Sequence, residues 1–167
     1  MKKISFVIGF VGVLLICGPV LSVGAISGVQ SSAIRDHCNT IKDGLKSVQK
    51  QDARTRVYLG GYYETILSKY MIPLNVRLVE NSLAEVALTE NQNNFAMTKK
   101  AFNDDYISYQ QGLEELVLID CKTEPEKFYE KLVSVRGKRK TVNKDVLKLK
   151  ELMEKHVKLV EGLKAKV

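Results

Sequence analysis

The chain has 167 residues, 45% of them hydrophobic, with no Trp, only two His and a formal charge of +7. This length suits one domain of ordinary size, and so few histidines leave a metal centre short of ligands. Residues 26–130 carry 12 Lys and Arg against 15 Asp and Glu, and residues 131–167 carry 12 against 4, so the basic character belongs to the C-terminal quarter.

Lys2 and Lys3 precede a run without charge from Ile4 to Ile34. The apolar stretch "ISFVIGFVGVLLIC" is followed by Pro19 and by "SVGA", which places Val23 and Ala25 at about positions −3 and −1 of a signal-peptidase site. Residues 1–25 are therefore expected to be a signal peptide or, if uncleaved, a signal anchor built on residues 4–26. Both place the rest of the chain outside the cytoplasm, secreted or held at the cell surface or in the periplasm, since the two lysines stay inside. Gly9-Phe10 does not make a pilin processing site, because Leu14 stands where pilins carry Glu. Cys17 follows "LLI" rather than the small residue that lipidation needs.

From Ile34 onward apolar residues recur at spacings of three and four. Ile34, Cys38, Ile41, Leu45, Val48, Asp52, Thr55, Leu59, Tyr62 and Ile66 form one such series. Phe95, Lys99, Phe102, Tyr106, Tyr109, Leu113 and Leu116 form a second, and Phe128 to Leu163, through Arg139 and His156, a third. Heptads sustained in this way predict helices packed as in coiled coils. "MIPL" is expected to end the first helix near Met71. "CKTEPE" is expected to separate the second from the third, with Thr123 as cap, Glu126 completing a capping box and Pro125 in the first turn. The resulting segments, 31–71, 74–120 and 124–165, are each ~60–70 Å long. One all-α domain over 26–167 follows, an elongated antiparallel three-helix coiled-coil-like bundle. Two places strain this layout. "TENQNN" at 89–94 shifts the apolar frame from that of Ile72, Val76, Val79, Leu83 and Val86, and is taken as a stutter in one helix rather than a turn. Gly60-Gly61 interrupts the first helix; the frame continues across it, which favours a kinked helix. The alternative is a groove lined by Tyr58, Tyr62, Tyr63 and Tyr70 around Gly60 and Gly61, suited to a small molecule or lipid.

Cys38 and Cys121, the cysteines of the exported part, are expected to pair. Parallel first and third rods then place Asp52 ~21 Å beyond Cys38 and Arg139 ~22 Å into the third helix. These charged exceptions on apolar stripes are expected to face each other as a buried pair. The run "RGKRK" offers Arg136, Lys138, Arg139 and Lys140 to an anionic surface, lipid or polymer. Nucleic acid is disfavoured, because no aromatic interleaves with these charges. No nucleophile elbow, phosphate-binding glycine loop or HExxH is present. Neither His37 nor His156 completes Glu-x-x-His, and His156 falls on the apolar stripe. Asp104-Asp105 and Glu114-Glu115 are expected on solvated faces. No cofactor or metal is expected.

Cys38-x-x-Ile41, Phe102-x-x-Asp105-Tyr106-x-x-Tyr109-x-x-x-Leu113, Asp120-Cys121-Lys122, Pro125-x-x-Phe128-Tyr129-x-x-Leu132 and Arg136-x-x-Arg139 resemble small exported two-cysteine helical proteins of host-dependent, small-genome (patescibacterial) bacteria. The resemblance spans roughly residues 32–160. It implies export and an elongated helical bundle and carries no catalytic residue. The expected function is that of an envelope-associated interaction or spacer protein; the alternatives are a lipid or small-molecule carrier, and an enzyme with a site around His156.

Overall fold

A computed structural model describes residues 26–164; the expected signal peptide or anchor lies outside the described residues, as do residues 165–167. The described chain is all-α. Its elements are α1 (Gly28–Asp36), α2 (Cys38–Thr65), a π-helical turn (Ile66–Met71), α3 (Ile72–Glu80), α4 (Val86–Leu118) and α5 (Pro125–Lys164). No described helix is long and apolar enough to cross a membrane.

α1 begins with a capping box, in which the Gln30 amide donates to Ser27 Oγ (3.3 Å) and the Ser27 amide to Gln30 Oε1 (3.1 Å). His37 leaves helical geometry (φ −104°, ψ 14°) and separates α1 from α2. α2 runs through Gly60 and Gly61 without a break. A Cβ added at either glycine meets nothing within 4 Å, so neither marks a close helix approach. Replacing both by Ala is expected to raise stability by about 1–2 kcal/mol, read as a higher denaturation midpoint. A lower midpoint would contradict an uninterrupted α2.

The expected break at Met71 is not there. The Ile72 amide donates to Leu67 O, five residues back, so the backbone widens into a π turn just before Pro73. Proline in a regular helix clashes with the carbonyl four residues earlier. The wider turn relieves that conflict, and the helical path continues to Glu80. Reversal occurs instead at residues 81–85. There the Leu83 amide donates to Leu78 O (2.8 Å) and the Ser82 amide to Val79 O (3.0 Å), the two bonds of a Schellman motif. Ser82 holds the left-handed position at φ 59°, usually taken by glycine. The segment boundaries 31–71 and 74–120 are corrected accordingly. Residues 89–94 are continuous helix in α4, with Asn91 Nδ2 donating to Leu152 O (3.0 Å).

Two apolar clusters form the core. One gathers Ile34, Cys38, Tyr106, Tyr109, Leu113, Leu116, Cys121, Phe128 and Val135. The other gathers Tyr63, Leu67, Met71, Phe95, Phe102, Leu149 and Leu152. Tyr63 rather than Tyr62 enters the core, its ring edge-on to Phe102 at 5.6 Å and to Phe95 at 6.1 Å. The period of a continuous α-helix explains the exchange. Cys38 to Tyr63 is ~7 turns, whereas a strict heptad drifts ~20° per repeat. The expected frame of Ile72, Val76, Val79, Leu83 and Val86 is solvent-exposed.

Cys38 and Cys121 form a disulfide with Cα atoms 5.6 Å apart. Beside it, Ser31 Oγ donates to Glu126 Oε1 (2.8 Å) and ties α1 to the start of α5. Glu126 is thereby diverted from the expected capping box. Thr123 Oγ1 donates to Asp120 O (3.4 Å) instead of capping α5, while Pro125 does occupy the first turn.

A candidate basic cleft between α2 and α5

α4 packs closely on α5, and Gly112 makes this possible: a Cβ there would sit 3.2 Å from Val135 Cγ2. α2 leans on α4 but stays away from α5; no α2 Cα lies within 8 Å of an α5 Cα. Side chains bridge the resulting seam. Arg139 donates from Nε to Asp52 Oδ2 and from Nη2 to Asp52 Oδ1, both at 2.9 Å, and Tyr109 Oη donates to Asp52 Oδ2 at 2.8 Å. One residue each from α2, α4 and α5 thus meets at a single carboxylate. The hydrogen bond to Asp52 raises the Arg139 pKa, and burial together with that carboxylate raises the Tyr109 pKa. The pair is not fully buried: the Asp52 side chain is 18% exposed and Arg139 57%.

Around this bridge opens a cleft of about 550 Å³. Its floor is apolar, with Leu59, Phe102, Tyr106 and Val146, and Arg56, Arg136 and Lys140 also line it. Arg139 is matched by Asp52, but none of the other three cations has an ion pair among the described residues. Arg56 stands over the Tyr106 ring, 5.7 Å from its centroid, and its Nε is buried without a hydrogen-bond partner.

The expected anion-binding run divides. Arg136 and Lys140 line the cleft, and Arg139 is neutralised. Lys138 is withdrawn: its Nζ donates to Ser108 O (3.1 Å) and its stem covers Gly112. The expected tyrosine groove divides as well. Tyr58 is exposed, Tyr63 is core, and Gly60 and Gly61 line neither the basic cleft nor the second hollow. Tyr62 and Tyr70 instead border a second hollow of about 740 Å³ with His156. His156 Nδ1 is buried without a hydrogen-bond partner, and burial lowers the imidazole pKa. Glu161 lines the same hollow but shares no hydrogen bond with His156. The described residues contain no cluster of potential metal ligands.

Asp104, Glu114 and Glu115 lie on solvated faces as expected, and Asp105 is half-buried. Asp104 pairs with Lys100 (2.6 Å), and Glu115 with Lys131 on α5. Asp105 meets Asp145 across the α4–α5 interface; burial first, then the hydrogen bond and charge of Asp105, push the Asp145 pKa up to about 6. Asp145 Oδ2 is buried without a hydrogen-bond partner, an environment that favours the protonated carboxyl. Because the folded-state pKa is raised, this pair's contribution is present at low pH and lost as pH rises through about 6. Asp145→Asn is expected to stabilise by ~1 kcal/mol at pH 7.5, after discounting for partial exposure, and to change little at pH 4. Equal effects at both pH values in thermal melts would contradict the raised Asp145 pKa.

Comparison with protein-family models, curated proteins and solved structures finds no match to this chain.

Proposed function

We propose that this chain is an exported, envelope-associated binding protein without catalytic activity. It is an elongated antiparallel three-helix, coiled-coil-like rod that holds an anionic group of an envelope lipid or polymer in the cleft of Arg56, Arg136 and Lys140. The observation that carries this reading is the three cations without a counter-charge around an apolar-floored cleft, beside a fourth that Asp52 neutralises. Unbalanced charge of one sign over low-dielectric walls focuses a field that attracts anions. Export is supported by the lysine-led uncharged N-terminal run and by the disulfide, which persists in oxidising compartments. The resemblance to exported two-cysteine helical proteins agrees with this placement.

The test is sedimentation of the full-length chain with vesicles carrying anionic or only zwitterionic head groups. Binding to the anionic vesicles is expected to fall at least ~10-fold when the Debye length is shortened from about 30 to about 8 Å. Arg136→Gln with Lys140→Gln is expected to reproduce the loss at low salt. Lys148→Gln with Lys150→Gln is expected to leave binding unchanged, because those lysines pair with Glu151 and Glu154 on the same helix. Binding that ignores both salt and the first double variant would overturn the reading.

A further inference from the structure

A second hollow lies along the same α2–α5 seam as the basic cleft. Neither the π turn nor α3 brings a Cα within 8 Å of α5, so the seam that separates α2 from α5 extends beyond Thr65. Two hollows lie in line along it. The first holds the cations and ends at Leu59 on α2 and Val146 on α5. The second begins at Tyr62, three residues and ~4.5 Å further along α2, and takes in Ile66, Leu74, Met153, Val157 and Val160. Both hollows carry cations without an ion pair among the described residues, Arg56, Arg136 and Lys140 in the first and Lys69 and Arg77 in the second. The first differs in holding the buried unpaired Nε of Arg56, and the second in its aliphatic lining of Ile66, Leu74, Met153, Val157 and Val160. Lys69, Arg77 and Glu161 of the second hollow are exposed, as are Arg136 and Lys140 of the first, and His156 is half-buried.

We propose that the seam is a single binding site for a long-chain carboxylate. The carboxylate sits at Arg56, Arg136 and Lys140, and the alkyl chain follows the seam past Leu59 and Val146 to Met153 and Val157. This rests on the anion-binding reading above and adds the chemistry of the rest of the ligand. Three observations converge on it. The buried Nε of Arg56 is a donor with no acceptor in the protein, a costly state that a ligand oxygen relieves. The hollows, about 550 and 740 Å³, each fall in the range of small-molecule sites. From Lys140 to Val157 is ~25 Å along α5, the span of an extended long acyl chain rather than of a compact head group. A free phosphate or a wall polymer satisfies the cations but leaves the second hollow empty, so chain length is the discriminating variable.

The experiment is equilibrium dialysis of the full-length chain against butanoate, octanoate, dodecanoate, dodecanol and inorganic phosphate, each below its micellar concentration and at low salt. Dodecanoate is expected to bind at least ~10-fold more tightly than octanoate, from about two- to fourfold per buried methylene. Arg56→Gln/Arg136→Gln/Lys140→Gln is expected to weaken dodecanoate at least ~10-fold and to abolish the preference over dodecanol. Tyr62→Glu changes an exposed position where the second hollow begins, ~9 Å along α2 from Arg56 and within reach of a dodecyl chain. It is expected to weaken dodecanoate at least ~5-fold while leaving butanoate and phosphate unchanged. Butanoate and dodecanoate binding equally, with the triple variant still weakened, would overturn the chain-binding inference and leave the anionic cleft standing. Dodecanoate binding that survives both the triple variant and Tyr62→Glu would overturn both, placing the ligand elsewhere on the chain. Circular dichroism of each variant establishes that the helices are intact.

Discussion

Replacing Cys38 and Cys121 by Ser is expected to lower stability by about 4–5 kcal/mol, the largest single effect anticipated for this protein. The cross-link joins residues 83 apart in sequence, so its removal frees a long loop in the unfolded chain, and the loop-entropy relation gives the quoted size. The folded state adds a second reason. α2 makes no backbone approach to α5, and α1 reaches α5 through the Ser31–Glu126 hydrogen bond beside the disulfide. Without the bond, the start of α2 is held to the end of α4 only by packing around Ile34 and Ile41. The measurement is urea unfolding of oxidised wild type against the double Ser variant. A difference below ~1 kcal/mol would mean that the cross-link decorates a register already fixed by packing.

Asp52→Ala is expected to cost about 2–3 kcal/mol, and Arg139→Gln only about 1 kcal/mol or less. The asymmetry follows from burial. Removing Asp52 strands the Tyr109 hydroxyl, in a residue only 3% exposed, along with the guanidinium. Removing Arg139 takes away a largely exposed cation and leaves Asp52 its hydrogen bond from Tyr109. Tyr109→Phe should fall between the two, since it removes the buried donor together with its need for a partner. Denaturant midpoints for the three variants test this order. An Arg139→Gln cost equal to or above that of Asp52→Ala would show that the ion pair, not the buried hydroxyl, dominates the layer.

Much of the helical layout was legible because burial imposes its period on the sequence. The third apolar series lies within the single helix α5, and Asp52 meets Arg139 where equal depth from Cys38 and Glu124 places both. Other features were hidden for identifiable reasons. Pro73 reads as a terminator because sequence rules assume α-helical spacing, and a π turn removes the clash on which the rule depends. The actual reversal at Asn81-Ser82 lacks the glycine that normally announces a left-handed residue. Lys138 looked available because it belongs to a charge run, yet Gly112 across the interface admits its stem and brings its ammonium to Ser108 O.

The cleft was half legible. "RGKRK" supplied Arg136 and Lys140, but Arg56 sits one residue off the predicted stripe, next to Thr55, and was not recognised. Its place four residues after Asp52 is the available signal, since positions i and i+4 share a helix face. Tyr109 offered another, because a tyrosine on a core stripe needs a hydrogen-bond partner for its hydroxyl. The opening between α2 and α5 leaves no periodic trace, since side chains that line a seam and side chains that pack across one share the same spacing.

The most direct test of the basic cleft is amide chemical-shift mapping of the isotopically labelled full-length chain titrated with hexyl phosphate. The largest shifts are predicted at and around Arg56, Tyr106, Arg136, Lys140 and Val146, saturating together with one dissociation constant. Shifts centred instead on Lys148 to Lys158, or spread over α5 without saturation, would contradict a defined anion site and leave only a diffusely basic helix.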